Sequence, residues 1–236
     1  MNLLLSASLL TSLPACTQSQ PTDRHESAAT TQPATAKPHD SSRWEKDIAA
    51  FEAMDRTSPP PKGGVLFIGS STIRLWKTLA TDFPNHQVIN RGFGGSHIAD
   101  STNFAERIIF PYEPRMIFLR AGGNDIHAGK SPEQVFEDYK AFVAKVHARL
   151  PKTPIVYITA CPTPSRWADW DKTSKLHALI KAYTRWRSYL KFVDTDDMTL
   201  GANGLPREDL FVKDRLHLNA EGYLLLADRV RPALPK

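Results

Sequence analysis

The chain has 236 residues, 41% of them hydrophobic and 23% charged, with a mean hydropathy of −0.36 and 30 basic against 25 acidic side chains. These values exclude a mainly disordered chain and one that crosses a membrane many times, and the length suits one α/β domain of ordinary size. The formal charge of +5 gives no argument for nucleic acid as a partner, and two cysteines, Cys16 and Cys161, exclude a disulfide framework and a four-thiolate metal site.

Residues 1–13 (MNLLLSASLLTSL) are apolar or small and lead into Pro14-Ala15-Cys16. A spanning helix needs about 20 apolar residues, so this run reads as the hydrophobic part of a secretion signal occupying residues 1–15. The stretch Leu13-Pro14-Ala15-Cys16 resembles the lipobox of bacterial lipoproteins, which implies lipidation of Cys16 and an exported protein, periplasmic or anchored to a membrane. Residues 16–40 are rich in Thr, Gln, Ser, Pro and Ala and have almost no large apolar side chains, the composition of a flexible tether. The folded domain is therefore expected over residues 41–236. Cys161, next to the apolar run 155–158, reads as a buried structural thiol.

Ser41 and Ser42 precede a helical pattern with Trp44, Ile48, Phe51 and Met54 on one face, stopped by Pro59-Pro60-Pro61. Short apolar runs follow at 65–68, 88–89, 116–119, 155–158 and 192–193. They are too short for helices and read as buried parallel strands. Between them, Ser131-Pro132-Glu133-Gln134 is a helix start with Ser131 as cap and Gln134 reaching back. Behind it Val135, Tyr139, Phe142, Val143, Val146 and Leu150 share a face. Leu176, Leu179, Ile180 and Tyr183 form another face, and Asn219 caps a last helix through Tyr223, Leu226 and Val230. Alternating strands and helices predict an α/β protein: a flavodoxin-like three-layer sandwich on a five-stranded parallel sheet of order 2-1-3-4-5. Ligands bind such sheets at the carboxyl ends of the strands, so the chemistry is expected just after Ile68, Ile89 and Leu119.

Four blocks stand at those places or close to the end of the chain. The first strand runs into Gly69-Ser70-Ser71-Thr72, where a serine meets the free N–H groups of a helix start, or simply caps the helix. The second runs into Asn90-Arg91-Gly92-Phe93-Gly94-Gly95-Ser96, whose glycines allow the close backbone approach that an oxyanion-binding N–H needs. A dinucleotide loop is the rival reading, but His97 stands where G-x-G-x-x-G requires its third glycine. The third runs into Gly122-Gly123-Asn124-Asp125, in which the Asn124 amide either donates into the cleft or serves the turn. In Asp214-Arg215-Leu216-His217, an acid three residues before a histidine can fix its tautomer and strengthen it as a base.

Together these blocks resemble those of the SGNH (GDSL-like) hydrolase superfamily over about residues 42–234, and look most like the branch holding intracellular platelet-activating-factor acetylhydrolase subunits and many bacterial lipoprotein esterases. The resemblance implies Ser71 as nucleophile, Asp214 and His217 as its partners, the backbone N–H groups of Ser71 and Gly95 with the Asn124 amide as oxyanion hole, and no metal or cofactor. Ser70 stands where the family motif has Asp. The implied function is a serine esterase acting on short-chain, acetyl-type esters of small molecules or carbohydrates. The alternatives are a lysophospholipase or thioesterase of the same fold, and a non-catalytic ligand-binding lipoprotein. Among residues near the blocks, Phe93 and Trp167 are the candidates for contact with substrate, with Ile98, Ile126 and Trp170 as further pocket wall. Asp194, Asp196 and Asp197 read as strand-end and turn acids, and the histidines show no metal-ligand spacing.

Overall fold

The computed structural model describes residues 39–236. The apolar leader, Cys16 and nearly all of the proposed tether lie outside the described residues. The elements run α1 (Glu45–Thr57), β1 (Val65–Gly69), α2 (Ser71–Leu75), α3 (Leu79–Asp82), β2 (Val88–Gly92), α4 (Ile98–Asn103), α5 (Ala105–Ile108), β3 (Met116–Arg120), α6 (Gly123–His127), α7 (Pro132–Arg149), β4 (Ile155–Ile158), α8 (Trp170–Thr184), β5 (Leu190–Val193) and α9 (Ala220–Val230), with short 3₁₀ turns between them. The sheet is parallel and five-stranded in the order β2-β1-β3-β4-β5, as the alternation predicts.

The three inner strands are buried at every position, which is why, Arg120 at the end of β3 aside, their sequences are apolar runs rather than alternating ones. Successive side chains enter opposite faces. Leu66, Ile68, Ile117 and Leu119 pack with α1, α4, α5, α7 and α8. Val65, Phe67, Met116 and Phe118 pack with α2, α3 and α9. Each such aliphatic or aromatic side chain contributes about 1.5–3 kcal/mol by leaving water, and the two clusters hold a helix layer on each face of the sheet.

Local chemistry sets the helix ends. Ser131 Oγ accepts from the Gln134 N–H at 3.2 Å while Gln134 Oε1 accepts from the Ser131 N–H at 2.9 Å, the predicted capping box of α7. Asn219 Oδ1 accepts from the Gly222 N–H at 3.0 Å and starts α9. Met54 departs from expectation: it is 51% exposed, because it lies six residues beyond Ile48 and so on another side of a helix with 3.6 residues per turn. Cys161 is buried, as its surroundings predict.

Candidate active site

β1 is flanked by β2 and β3, so the chain leaves three adjacent strand ends, Gly69, Gly92 and Arg120, at one edge of the sheet. Gly69 has φ +136°, and a Cβ there would stand 2.1 Å from the Arg120 carbonyl oxygen. Only glycine permits this turn, and the turn places Ser70 at the N-cap and Ser71 at the first residue of α2. Ser70 makes no side-chain cap bond. Its N–H donates to the Arg120 oxygen at 3.0 Å and its own carbonyl accepts from the N–H groups of Ile73 and Arg74.

Ser71 Oγ lies 2.9 Å from His217 Nε2, and His217 Nδ1 lies 2.6 Å from Asp214 Oδ2. The other Asp214 oxygen accepts from the backbone N–H groups of Leu216 and His217, both at 2.9 Å. Desolvation opposes ionisation of Asp214, but the His217 N–H, the His217 ring and the Leu216 N–H outweigh it and hold the carboxyl at about 2. An ionised carboxylate only accepts, so Nδ1 carries the ring proton and Nε2 is left to accept from the serine hydroxyl. The four-residue turn is closed by Arg215 in the left-handed region at φ +59° and by a bond from the Val212 N–H to the His217 carbonyl at 2.8 Å.

Opposite His217 stand the expected donors. Gly95, at φ +76°, shares a groove with Ser71, Asn124 and His217. The Asn124 amide gives one Nδ2 hydrogen to the Ser96 carbonyl at 3.0 Å and receives Arg166 at its Oδ1 at 2.8 Å, which leaves one amide hydrogen for a ligand. Its neighbour Asp125 turns away and is fully buried, 3.3 Å from Lys130. The Ser71 hydroxyl stands where two spaces meet. One is a narrow cavity of about 60 Å³. The other is an open groove of about 320 Å³ lined by Trp44, Arg74, Gly95 and Arg166.

Several sequence expectations are corrected here. Phe93 is fully buried and packs edge-on against Trp44 and Phe104, at 5.8 and 6.2 Å. β2 runs on to Gly92, three residues past the predicted end, and the Phe93 N–H bonds the Gly69 carbonyl at 2.9 Å, which commits its ring to the core. Ile98 and Ile126 are core residues too. Trp167 stacks on Trp170 at 6.2 Å, and Trp170 is the one that reaches the cavity. His97, His39 and Asp100 come close enough for a metal, among the described residues, but His39 and Asp100 already bond each other at 2.7 Å. Asp194, Asp196 and Asp197 each face a basic partner, Lys181, His177 and Arg229.

Two arginines of the site escape a reading of the sequence alone. Arg166, in the loop before α8, carries no local signal. Arg120 ends the otherwise apolar run Met-Ile-Phe-Leu-Arg, and its burial to 6% exposure, rare for a charge, shows only in the structure.

The sequence profile of the GDSL-like lipase/acylhydrolase family matches residues 69–225. No curated protein matches the chain. Among solved structures, a protein of Streptococcus pneumoniae provisionally named a platelet activating factor is 18% identical, with a TM-score of 0.73 over 82% of this chain and 94% of that one. A GDSL-like lipase from Bacteroides thetaiotaomicron is 20% identical, with a TM-score of 0.66 over 79% and 96%. An acetylxylan esterase from Geobacillus stearothermophilus, crystallised as a catalytic serine-to-alanine mutant, is 16% identical, with a TM-score of 0.59 over 72% and 94%. At these identities the likeness establishes the shared fold.

Proposed function

The chain belongs to the GDSL-like lipase/acylhydrolase family and is a carboxylic ester hydrolase, and we propose that it is a serine esterase that removes short acyl groups through an acyl-serine intermediate. The hydrogen-bonded series Ser71–His217–Asp214 carries this reading. His217 Nε2 takes the Ser71 proton as Oγ attacks the ester carbonyl, and the ionised Asp214 stabilises the imidazolium. The N–H groups of Ser71 and Gly95 and the remaining Asn124 hydrogen receive the charge that develops on the carbonyl oxygen. The proton passes to the departing alcohol. Water, deprotonated by the same imidazole, then cleaves the acyl-serine.

The acyl group is short because the space beside Ser71 is small. At about 10–15 Å³ per water-sized occupant, a cavity of about 60 Å³ holds only a few heavy atoms. The alcohol portion lies in the open groove, where Arg74 supplies donors suited to the hydroxyls of a sugar ring. Carbohydrate carrying a short acyl ester is the substrate class this favours. Export and anchoring through Cys16 belong to the same proposal and rest on the sequence of residues 1–16 alone; the Cys16→Ser protein then stays soluble while the unchanged protein sediments with membranes.

Hydrolysis of p-nitrophenyl acetate tests the reading. Ser71→Ala loses at least about 10⁴-fold in kcat. Activity surviving that change places the chemistry elsewhere, and inactivity of the unchanged protein leaves a ligand-binding protein on this fold.

A further inference from the structure

Among the described residues, two arginines are buried to below one-tenth exposure, and they differ in their company. Arg91, at 7%, pairs with Asp55, and its Nε donates to the Tyr112 hydroxyl at 2.7 Å. Arg120, at 6%, makes no ion pair among the described residues. One of its terminal nitrogens meets the Thr72 hydroxyl, the other meets Cys161 Sγ at 3.4 Å, and its Nε has no partner. The Cys161 thiol is no counter-ion. Burial pushes its pKa up, against the pull of Arg120, so it stays protonated.

A guanidinium is charged at every ordinary pH and presents five N–H donors. Burying one without an anion is unfavourable unless something else completes it. Arg120 lines the narrow cavity beside Ser71, and so does Thr163, whose Oγ1 is buried and also unpartnered. Both residues thus belong to the wall of the space proposed to receive the acyl chain, with Arg120 Nε and Thr163 Oγ1 set just beneath its surface.

We propose that this cavity is an acyl subsite for a short chain ending in a carboxylate, bound by Arg120 and Thr163, so that the preferred substrates are half-esters of small dicarboxylic acids. The proposal rests on the esterase reading above and narrows its acyl group. Beyond its reacting carbonyl a succinyl group has five heavy atoms (two methylenes and the carboxylate), a size the cavity of about 60 Å³ accommodates. The carboxylate meets the guanidinium by charge-assisted hydrogen bonds and takes the Thr163 hydroxyl as a further donor. A plain alkyl chain of equal length leaves both groups unpaired, which is the stronger source of discrimination. Hydrolysis then releases the dicarboxylate and the alcohol.

The test compares monoethyl succinate with ethyl butyrate, which share alcohol and acyl length, by pH-stat titration. The unchanged protein favours the succinate ester at least about tenfold in kcat/KM. Arg120→Gln brings that ratio to one or below, and Arg120→Lys restores part of it. Free succinate also inhibits the unchanged protein more strongly than butyrate at equal ionic strength, a measurement that needs no variant to fold. Ser71-dependent cleavage of ethyl butyrate with a succinate ratio at or below one overturns the subsite and keeps the esterase. Cleavage of neither ester overturns the subsite, and if p-nitrophenyl acetate is also left uncleaved it overturns both.

Discussion

Ser70 and Ser71 are adjacent hydroxyls at one helix start, and only Ser71 reaches the imidazole. Ser70 contributes through its backbone, so Ser70→Ala keeps kcat within about tenfold of the unchanged protein, in contrast to Ser71→Ala. A dead Ser70→Ala protein shifts the nucleophile by one position. Asn124→Ala lowers kcat by about 10²–10³-fold with little change in KM, since its free hydrogen serves charge that appears only in the transition state. Arg166 acts on this amide by occupying its oxygen. Arg166→Ala therefore costs kcat in the presence of Asn124 and adds little to Asn124→Ala. Additive losses in that double-mutant cycle assign Arg166 to the substrate instead. Asp214 sets the form of the acid limb. Its carboxyl pKa is lowered to about 2, so it stays ionised on that limb and takes up no proton of its own. Log kcat/KM then falls with falling pH at a slope of one above roughly pH 4. A slope of two shows a second group protonating in the same range.

At the scale of the element, the cap of α7 can be changed without touching the site. Ser131→Ala removes the bond from the Gln134 N–H and lowers unfolding stability by about 1 kcal/mol, read as a lower urea midpoint at unchanged kcat. An unchanged midpoint means that packing alone holds this helix end. This cap was legible in four letters of sequence because its chemistry is local. So were the strands, whose buried faces leave uninterrupted apolar runs. The direction of loop side chains was not. Phe93 follows β2 directly, and three further residues of strand turned its ring into the core. Trp167 and Trp170 are equal candidates by composition, and only the kink before α8 decides which one reaches the cavity.

For the whole molecule, strand order was legible because parallel strands need right-handed crossovers, and that order brings the first three blocks together. The space they enclose was not, since the two arginines beside Asn124 and Ser71 come from a loop and a strand end far apart in the chain. That space predicts the chain-length profile. Across p-nitrophenyl esters, kcat/KM peaks between C2 and C4 and falls at C8 and C12, because methylenes that find no apolar channel forgo about 0.8 kcal/mol each. A maximum at C8 or longer favours the lysophospholipase alternative.

The partners of the Ser71–His217 bond stand 146 positions apart in the chain. Ser71 belongs to the first strand-to-helix turn, whereas His217 arrives only after the fifth strand. At about 5–20 residues per second, synthesis takes roughly 7–30 s to pass from one to the other. Throughout that interval the growing polypeptide owns a nucleophile without a base to activate it. A product released between residues 194 and 213 has all five strands and no acid–base pair, so the cell meets reactive serine only in chains that have passed His217.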